Sequence, residues 1–373
     1  MLEVEPLCGQ KGVEKRGVYA ICKNELQFVD RWVKSMKEAD EIVVLDTGSE
    51  DGTVERLREL GVTVEQKVIK PWRFDVARNA SMQLAPKDAD ILVCTDLDEV
   101  LTPGWRDILE KAWTPQAKQA RYRYVWNFNE DGSEGTVFQY EKIHANGGFK
   151  WVHPVHEVLI YDGKEPHAYV NCSGFQLNHL PDPTKSRAQY LPLLELAVEE
   201  RPDDDRNVHY LGREYMFRQD WNRCIETLER HLKMPTATWR DERCASMRFI
   251  ARAHWNLGHT DQAMEWYFKA IGEAPYLREP YVEMARLLYG QNNWSGVVFF
   301  VDQALRIEKR AETYICEADA WGSLPHDLIS IALYNMNYPD LAAKAGREAL
   351  KLSPDDERIR KNLELFETAT ERR

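Results

Sequence analysis

No stretch of this chain approaches the ~18 consecutive apolar residues that a membrane-spanning helix needs. No Cys-x-x-Cys or Cys-x-x-His spacing suggests a zinc knuckle, and no basic excess suggests a nucleic-acid partner. Lys and Arg number 49 against 61 Asp and Glu, a formal charge of -12, which argues against binding through a surface that neutralises phosphates. The seven cysteines, Cys8, Cys22, Cys94, Cys172, Cys224, Cys244 and Cys316, are odd in number and scattered. Buried free thiols in a reducing compartment fit that usage. The opening MLEVEPLCGQKGVEKRG lacks the basic-then-apolar order of a signal peptide. A cytoplasmic protein is therefore expected, with residues 1–16 as a loosely held tail.

What is present is enough hydrophobic residue, 43% of 373, for two ordinary cores. From Gly17, β-branched runs alternate with amphipathic stretches: GVYAICK, ELQFVDRWVKSMKE, EIVVLD, DGTVERLREL, VTVEQKV, FDVARNASMQLA and ILVCTD. Strand, helix, strand, repeated, predicts an α/β domain with a parallel sheet and helices on both faces. Thr47-Gly48-Ser49-Glu50-Asp51-Gly52-Thr53 reads as a helix start, because small and acidic residues satisfy free N–H groups of a first turn. After Asp98 the aromatic, alternating segments RYRYVWNF, GTVFQYEKI and FKWVHPVHEVLI suit antiparallel or mixed strands added to the same sheet, as far as about Leu180.

Beyond Pro181-Asp182-Pro183 the pattern is helical. Ala251, Gly258, Ala263, Tyr267, Ala270 and Pro275 occupy the small-residue, turn, aromatic and terminating positions of a tetratricopeptide unit. A shift of 34 residues takes Ala251 to Ala285 and Ala270 to Ala304. A looser unit ends in Ala342, Ala349 and Pro354, and Tyr210-Leu211-Gly212 through Leu228 reads as a degenerate first unit. The expected domains are residues 17–185, α/β, and 186–373, an all-α stack of tetratricopeptide-like repeats.

Candidate chemistry gathers at the carboxyl ends of the parallel strands, where open α/β sheets bind ligands. Asp46 closes one strand, and Asp96-Leu97-Asp98-Glu99 follows another. An Asp-x-Asp directly after a buried strand sets two carboxylates on one face, hard oxygen ligands suited to Mn2+ or Mg2+ when a diphosphate supplies others.

The series ICKNE, VVLDTGSEDGT, FDVARN, ILVCTDLDE and VHEVL resembles family 2 glycosyltransferases of the GT-A, Rossmann-like fold, especially those with a tetratricopeptide tail, including bacterial enzymes that glycosylate peptides. The resemblance spans roughly residues 17 to 180. It departs from the common Asp-Ala-Asp-Glu only in having Leu97 at the middle position. It implies a nucleotide-sugar donor, UDP-linked, and a metal–diphosphate motif at Asp96 and Asp98. Asn24, Glu25, Asp46, Asp75, Arg78, Asn79, Asp96 and Leu97 then line the donor site, and His179, where the sheet gives way to helices, is the third metal ligand. His153 and His156 compete with His179 for that role. Helix capping by Asn24 and Ser49, or a structural salt bridge at Arg78, is the plainer account of those residues.

Glu157 is the candidate general base for an inverting transfer, with Glu99 and Asp131 as alternatives. Trp151 and Trp126 are candidate platforms for a sugar ring, or simply core. A protein or peptide acceptor suits the repeat groove, homodimerisation is a second use for it, and a glycan or lipid-linked acceptor is an alternative. A nucleotidyltransferase fits poorly, because GVYAICKNE offers only Lys23 and no phosphate loop. A non-catalytic scaffold fits poorly too, since both paired acids are present.

Overall fold

The computed structural model describes residues 15–129, 132–184 and 188–372. The chain divides into two units, Met1–Gln189 and Tyr190–Arg373.

The first unit opens with β1 (Arg16–Cys22), α1 (Leu26–Met36), β2 (Glu41–Asp46), α2 (Thr53–Glu59), β3 (Thr63–Gln66), α3 (Phe74–Leu84) and β4 (Ile91–Cys94). β1 is buried at every position because it lies between β2 and β4, parallel to both, with helices over its faces. A strand so placed must be apolar along its whole length, and GVYAIC is. α1 buries Phe28, Val29, Trp32, Val33 and Met36, one stripe at helical spacing, against one face of the sheet. Each such large side chain contributes about 1.5–3 kcal/mol on leaving water. Tyr19, Val43, Leu92, Cys94 and Trp151 fill the opposite face.

The chain continues through β5 (Glu99–Leu101), α4 (Trp105–Ala112), β6 (Gln119–Val125), β7 (Val137–Ala145), β8 (Phe149–Val152), β9 (Val158–Tyr161) and β10 (Tyr169–His179). Among the described residues eight strands form one mixed sheet in the order β3-β2-β1-β4-β7-β6-β10-β5. β7 runs antiparallel to β4 and β6, while β10 is parallel to β6. One expectation is corrected here, since FKWVHPVHEVLI does not extend that sheet. β8 and β9 pair with each other as a hairpin. Asn79 of α3 explains the diversion: its side-chain amide donates to Trp151 O at 2.8 Å and accepts from Trp151 N–H at 2.9 Å. Phe74 N–H also donates to Pro154 O, so the hairpin is laced to α3 instead of to a sheet edge.

The second unit is built from α5 (Tyr190–Glu200), α6 (Asp205–Phe217), α7 (Trp221–Lys233), α8 (Arg240–Asn256), α9 (Thr260–Glu273), α10 (Glu279–Gly290), α11 (Trp294–Leu305), α12 (Leu324–Asn335), α13 (Pro339–Leu352) and α14 (Glu357–Glu371), with a short 3-10 turn at Ala318–Trp321. The repeat seen in the sequence recurs in the backbone. Gln219, Gly258, Asn292 and Asn337 each adopt positive φ two residues before α7, α9, α11 and α13. Asp220 and Asn293, one residue later in two of these turns, cap the helix that follows. Ala251, Ala263, Ala270, Ala285, Ala304, Ala342 and Ala349 are all fully buried, as small residues at close helix crossings must be. No helix among the described residues is long and apolar enough to cross a membrane.

Gly212 marks the closest approach of α6 to α7. A Cβ there would lie 2.3 Å from Leu228 Cδ2 and 2.4 Å from its Cγ. Gly-to-Ala normally stabilises a helix interior by roughly 0.5–1 kcal/mol. At Gly212 the sign reverses: Gly212→Ala is expected to lower unfolding free energy by about 1–3 kcal/mol through overpacking, read as a reduced midpoint in urea unfolding.

Candidate active site

The carboxyl ends of β1, β2 and β4 point the same way because the three strands are parallel, and the loops beyond them form one rim. The first two loops are zipped together. Asn24, at φ 55°, donates its N–H to Ser49 Oγ and accepts from Glu50 N–H, both at 2.8 Å. Glu25 N–H donates to Thr53 Oγ1 at 2.9 Å, and Leu26 N–H to the Asp51 carboxylate at 3.1 Å. Asp46, fully buried, accepts from the N–H groups of Gly48 and Ser49 and from the Ser49 hydroxyl. Neither Asn24 nor Ser49 is a helix cap; the residues before α1 and α2 are Glu25 and Gly52, without side-chain capping bonds. Gly52 takes φ 91°, a conformation that glycine alone adopts without strain. Asn24 and Asp46 thus shape the rim by holding its backbone.

Past β4 lies a dense knot of charge. Arg78, buried on α3, donates to both oxygens of Asp96 at 2.7 and 2.9 Å and to Glu157 Oε1 at 2.9 Å, and its guanidinium lies 5.5 Å from the Trp151 ring centre. Lys142, buried on β7, reaches both oxygens of Glu99 at 2.8 and 2.9 Å and Asp96 at 3.5 Å. Glu99 also accepts from the Tyr124 hydroxyl and from Asp96 N–H. Burial alone would raise the Asp96 pKa, but Arg78 and Lys142 reverse that and hold it below the usual carboxylate range. Burial would lower Lys142; Glu99 and Asp96 outweigh it and push it well up. Both groups are therefore ionised.

Asp98 and His179 form a separate pair. Their carboxylate and Nε2 lie 3.4 Å apart, and Leu180 N–H donates to Asp98 O, which keeps the end of β10 beside the acidic loop. His179 Nδ1 lies 2.9 Å from Trp126 O. A carbonyl only accepts, so Nδ1 carries the proton, and a neutral ring then turns its Nε2 lone pair toward Asp98. Two acceptors face each other, an arrangement that calls for a proton or a cation between them. Burial would lower the His179 pKa, and Asp98 outweighs it and raises it.

The structure therefore divides the expected metal set. Asp98 and His179 come together, whereas Asp96 is given to Arg78 and Lys142, and no one point draws ligand atoms of all three within 4.8 Å of one another. Leu97 packs into the main core, leaving only its backbone to the rim. Asp75 pairs with Arg73 at 2.9 and 3.0 Å, and Asn79 is engaged by the backbone of Trp151. Trp151 is buried and donates to Tyr19 Oη, so it is core, while Trp126 is 40% exposed and stacks on His179 with ring centres 4.5 Å apart. His153 and His156 lie between β8 and β9 with left-handed backbones, φ 78° and 50°. Asp131 lies outside the described residues.

Two residues escaped the sequence reading. Lys142 sits in phase with the inward-facing Tyr140 and His144 of β7, and a lysine at an inward strand position was the available signal. Arg31 of α1 donates to Leu180 O and feels the Asp98 charge, and its Nε has no hydrogen-bond partner among the described residues. Nothing in the local pattern marks it out.

The family model described as "Glycosyl transferase family 2" matches residues 18–177, from β1 into β10. Over these residues the sheet unit is similar to family 2 glycosyl transferases. Two curated relatives, each named "Uncharacterized glycosyltransferase", come from Rickettsia bellii (strain RML369-C) and Rickettsia felis (strain ATCC VR-1525 / URRWXCal2). The first is 34% identical over 110 residues, 29% of this chain and 36% of its own length. The second is 31% identical over 99 residues, 26% of this chain and 34% of its own. The chain thus spans about a third of the length of these relatives. Among solved structures, a thermophilic TPR protein from Thermus thermophilus is similar to 48% of this chain and 88% of its own, at 17% identity and a TM-score of 0.34.

Within the sheet unit, the Lys142–Glu99 pair is the most deeply buried part of the knot. Lys142→Met strands a buried carboxylate and is expected to cost about 3–5 kcal/mol in urea unfolding. Adding Glu99→Gln should recover most of that loss, giving a coupling energy well outside the ~0.3–0.5 kcal/mol seen for independent sites.

Proposed function

We propose that the chain is a metal-dependent, inverting glycosyltransferase that moves a sugar from a UDP-linked donor to a protein or peptide acceptor. The observation that carries this reading is the Asp98–His179 pair, a carboxylate and an oriented imidazole nitrogen 3.4 Å apart at the strand ends of a family 2 domain. A carboxylate oxygen and a histidine nitrogen fixed by a backbone carbonyl suit a divalent ion, Mn2+ or Mg2+. When bound, that ion supplies neutralisation of the charge on the departing diphosphate.

The chain's own residues complete the site. Asp96, kept ionised by Arg78 and Lys142, is a rigid acceptor for donor hydroxyls. Arg78 bridges Asp96 and Glu157, so the donor side and the base move as one piece. Glu157 is the base: Arg78 fixes one carboxylate oxygen, leaving the other to take the proton from the acceptor as the sugar–phosphate bond breaks. The exposed face of Trp126 offers a surface for the sugar ring. Paired helices stacked as in α5 to α14 suit an extended peptide, the basis for the acceptor class.

Calorimetry of UDP with the 373-residue chain tests the donor half. Binding is expected to require Mn2+ or Mg2+ and to weaken at least about tenfold in Asp98→Asn; equal binding in that variant removes the metal assignment. Glu157→Gln should lower turnover by about 10²–10⁴-fold with UDP affinity unchanged. Loss of UDP affinity at normal turnover would place Glu157 in the donor pocket instead.

A further inference from the structure

Three consecutive helices of the second unit each bring one ligating side chain to the same buried spot: His209 from α6, His231 from α7 and Glu242 from α8. One ligand atom from each lies within 4.8 Å of the others, and both imidazoles are fully buried. Among the described residues, this is the one set of three His, Cys, Asp or Glu side chains that converges so closely.

The surroundings fix which atoms are available. Ser246 lies one helical turn after Glu242 on α8, and its hydroxyl oxygen is 2.8 Å from His209 Nδ1 and 3.0 Å from His231 Nδ1. That oxygen has two lone pairs and can accept from both Nδ1–H groups at once. Both rings then have a lone pair on Nε2, and neither Nε2 has a hydrogen-bond partner among the described residues. His231 Nε2 lies 3.4 Å from Glu242 Oε1, and Glu242 Oε2 accepts from the Tyr314 hydroxyl. Arg206 and Arg213, whose charges also act on this cluster, stack on the Tyr210 ring at 4.7 and 4.5 Å. The rival arrangement is a proton relay in which Ser246 donates to His231 and His231 donates to Glu242. It satisfies one ring and leaves His209 Nε2 bare in the interior, where an unpaired acceptor is costly.

We propose that His209, His231 and Glu242 hold a zinc ion through the two Nε2 atoms and Oε1, with a water molecule completing the tetrahedron. Two imidazoles and one carboxylate are a zinc donor set, and ligands drawn from three different helices make the ion a staple across α6, α7 and α8. Ser246 and Tyr314 act as the outer partners that orient histidine and carboxylate ligands. The site lies in a different unit from Asp98 and His179 and stands or falls independently of the proposed transfer reaction.

The test is metal analysis of the 373-residue chain after equilibration with Zn2+ and exhaustive gel filtration in metal-free buffer. About one zinc per chain is expected in the wild type, held by its three protein ligands. Asp98→Asn should retain it, while His231→Gln and Glu242→Gln should each lose it. Ser246→Ala should weaken zinc affinity about 10–100-fold. Co2+ provides a readout without substitutions: the loaded wild type should show the visible absorption of tetrahedral Co2+, bleached by added Zn2+. A wild type that retains neither ion overturns the site and leaves the proton relay as the account of the cluster. Zinc retained by the His231→Gln and Glu242→Gln variants, or lost from Asp98→Asn alone, overturns it equally.

Discussion

The guanidinium of Arg78 is the point on which the arrangement of the candidate active site depends. It comes from α3, takes both oxygens of Asp96 just beyond β4, and reaches Glu157 in the turn between β8 and β9. Three segments that are separate in the chain are thereby held at one buried cation. Taking that cation out of water is compensated only because its planar fork meets two carboxylates in good geometry, an arrangement a lysine cannot reproduce. The backbone is built around the same point. Asn79, next to Arg78 on α3, grips both backbone polar groups of Trp151, and Phe74 N–H holds Pro154. The turn that follows accepts two non-glycine residues with positive φ, His153 and His156, to bring Glu157 back to Arg78. Such conformations persist only where their surroundings over-determine them.

The helical unit relies on a different constraint, the distance between helix axes. Fully buried alanines recur from Ala251 to Ala349, and Gly212 lies against Leu228 where even one extra methyl group has no room. Short turns with a left-handed residue reverse the chain before α7, α9, α11 and α13. Each helix pair leaves an apolar face uncovered until the next pair is added, so stability accrues along the stack. The polar cluster of His209, His231, Ser246 and Glu242 is an exception within this packing, because buried polar groups must be mutually satisfied or bind something that satisfies them.

Much of this protein can be read along the chain because much of it is governed by local rules. The continuous apolar run of β1, the helical stripe of α1 and the alanine spacing of the repeats follow from which face each element must bury. The ordered series from ICKNE to VHEVL points to the transferase family for the same reason: loops at parallel strand ends are where such a sheet can present ligand-binding groups. The division of labour among the acids is not local. Asp96 and Asp98 stand two residues apart on one loop, yet one is neutralised by Arg78 and Lys142 and the other faces His179, from residues 18 to 81 positions distant. Likewise Asn79 and Trp151, which look like ligand-facing residues in sequence, hold each other in place across 72 positions. Hydrophobic periodicity depends on neighbours a few residues away and so is written in the sequence; charge pairing depends on groups that meet only after the sheet has formed, and only the folded chain decides which carboxylate is left to bind.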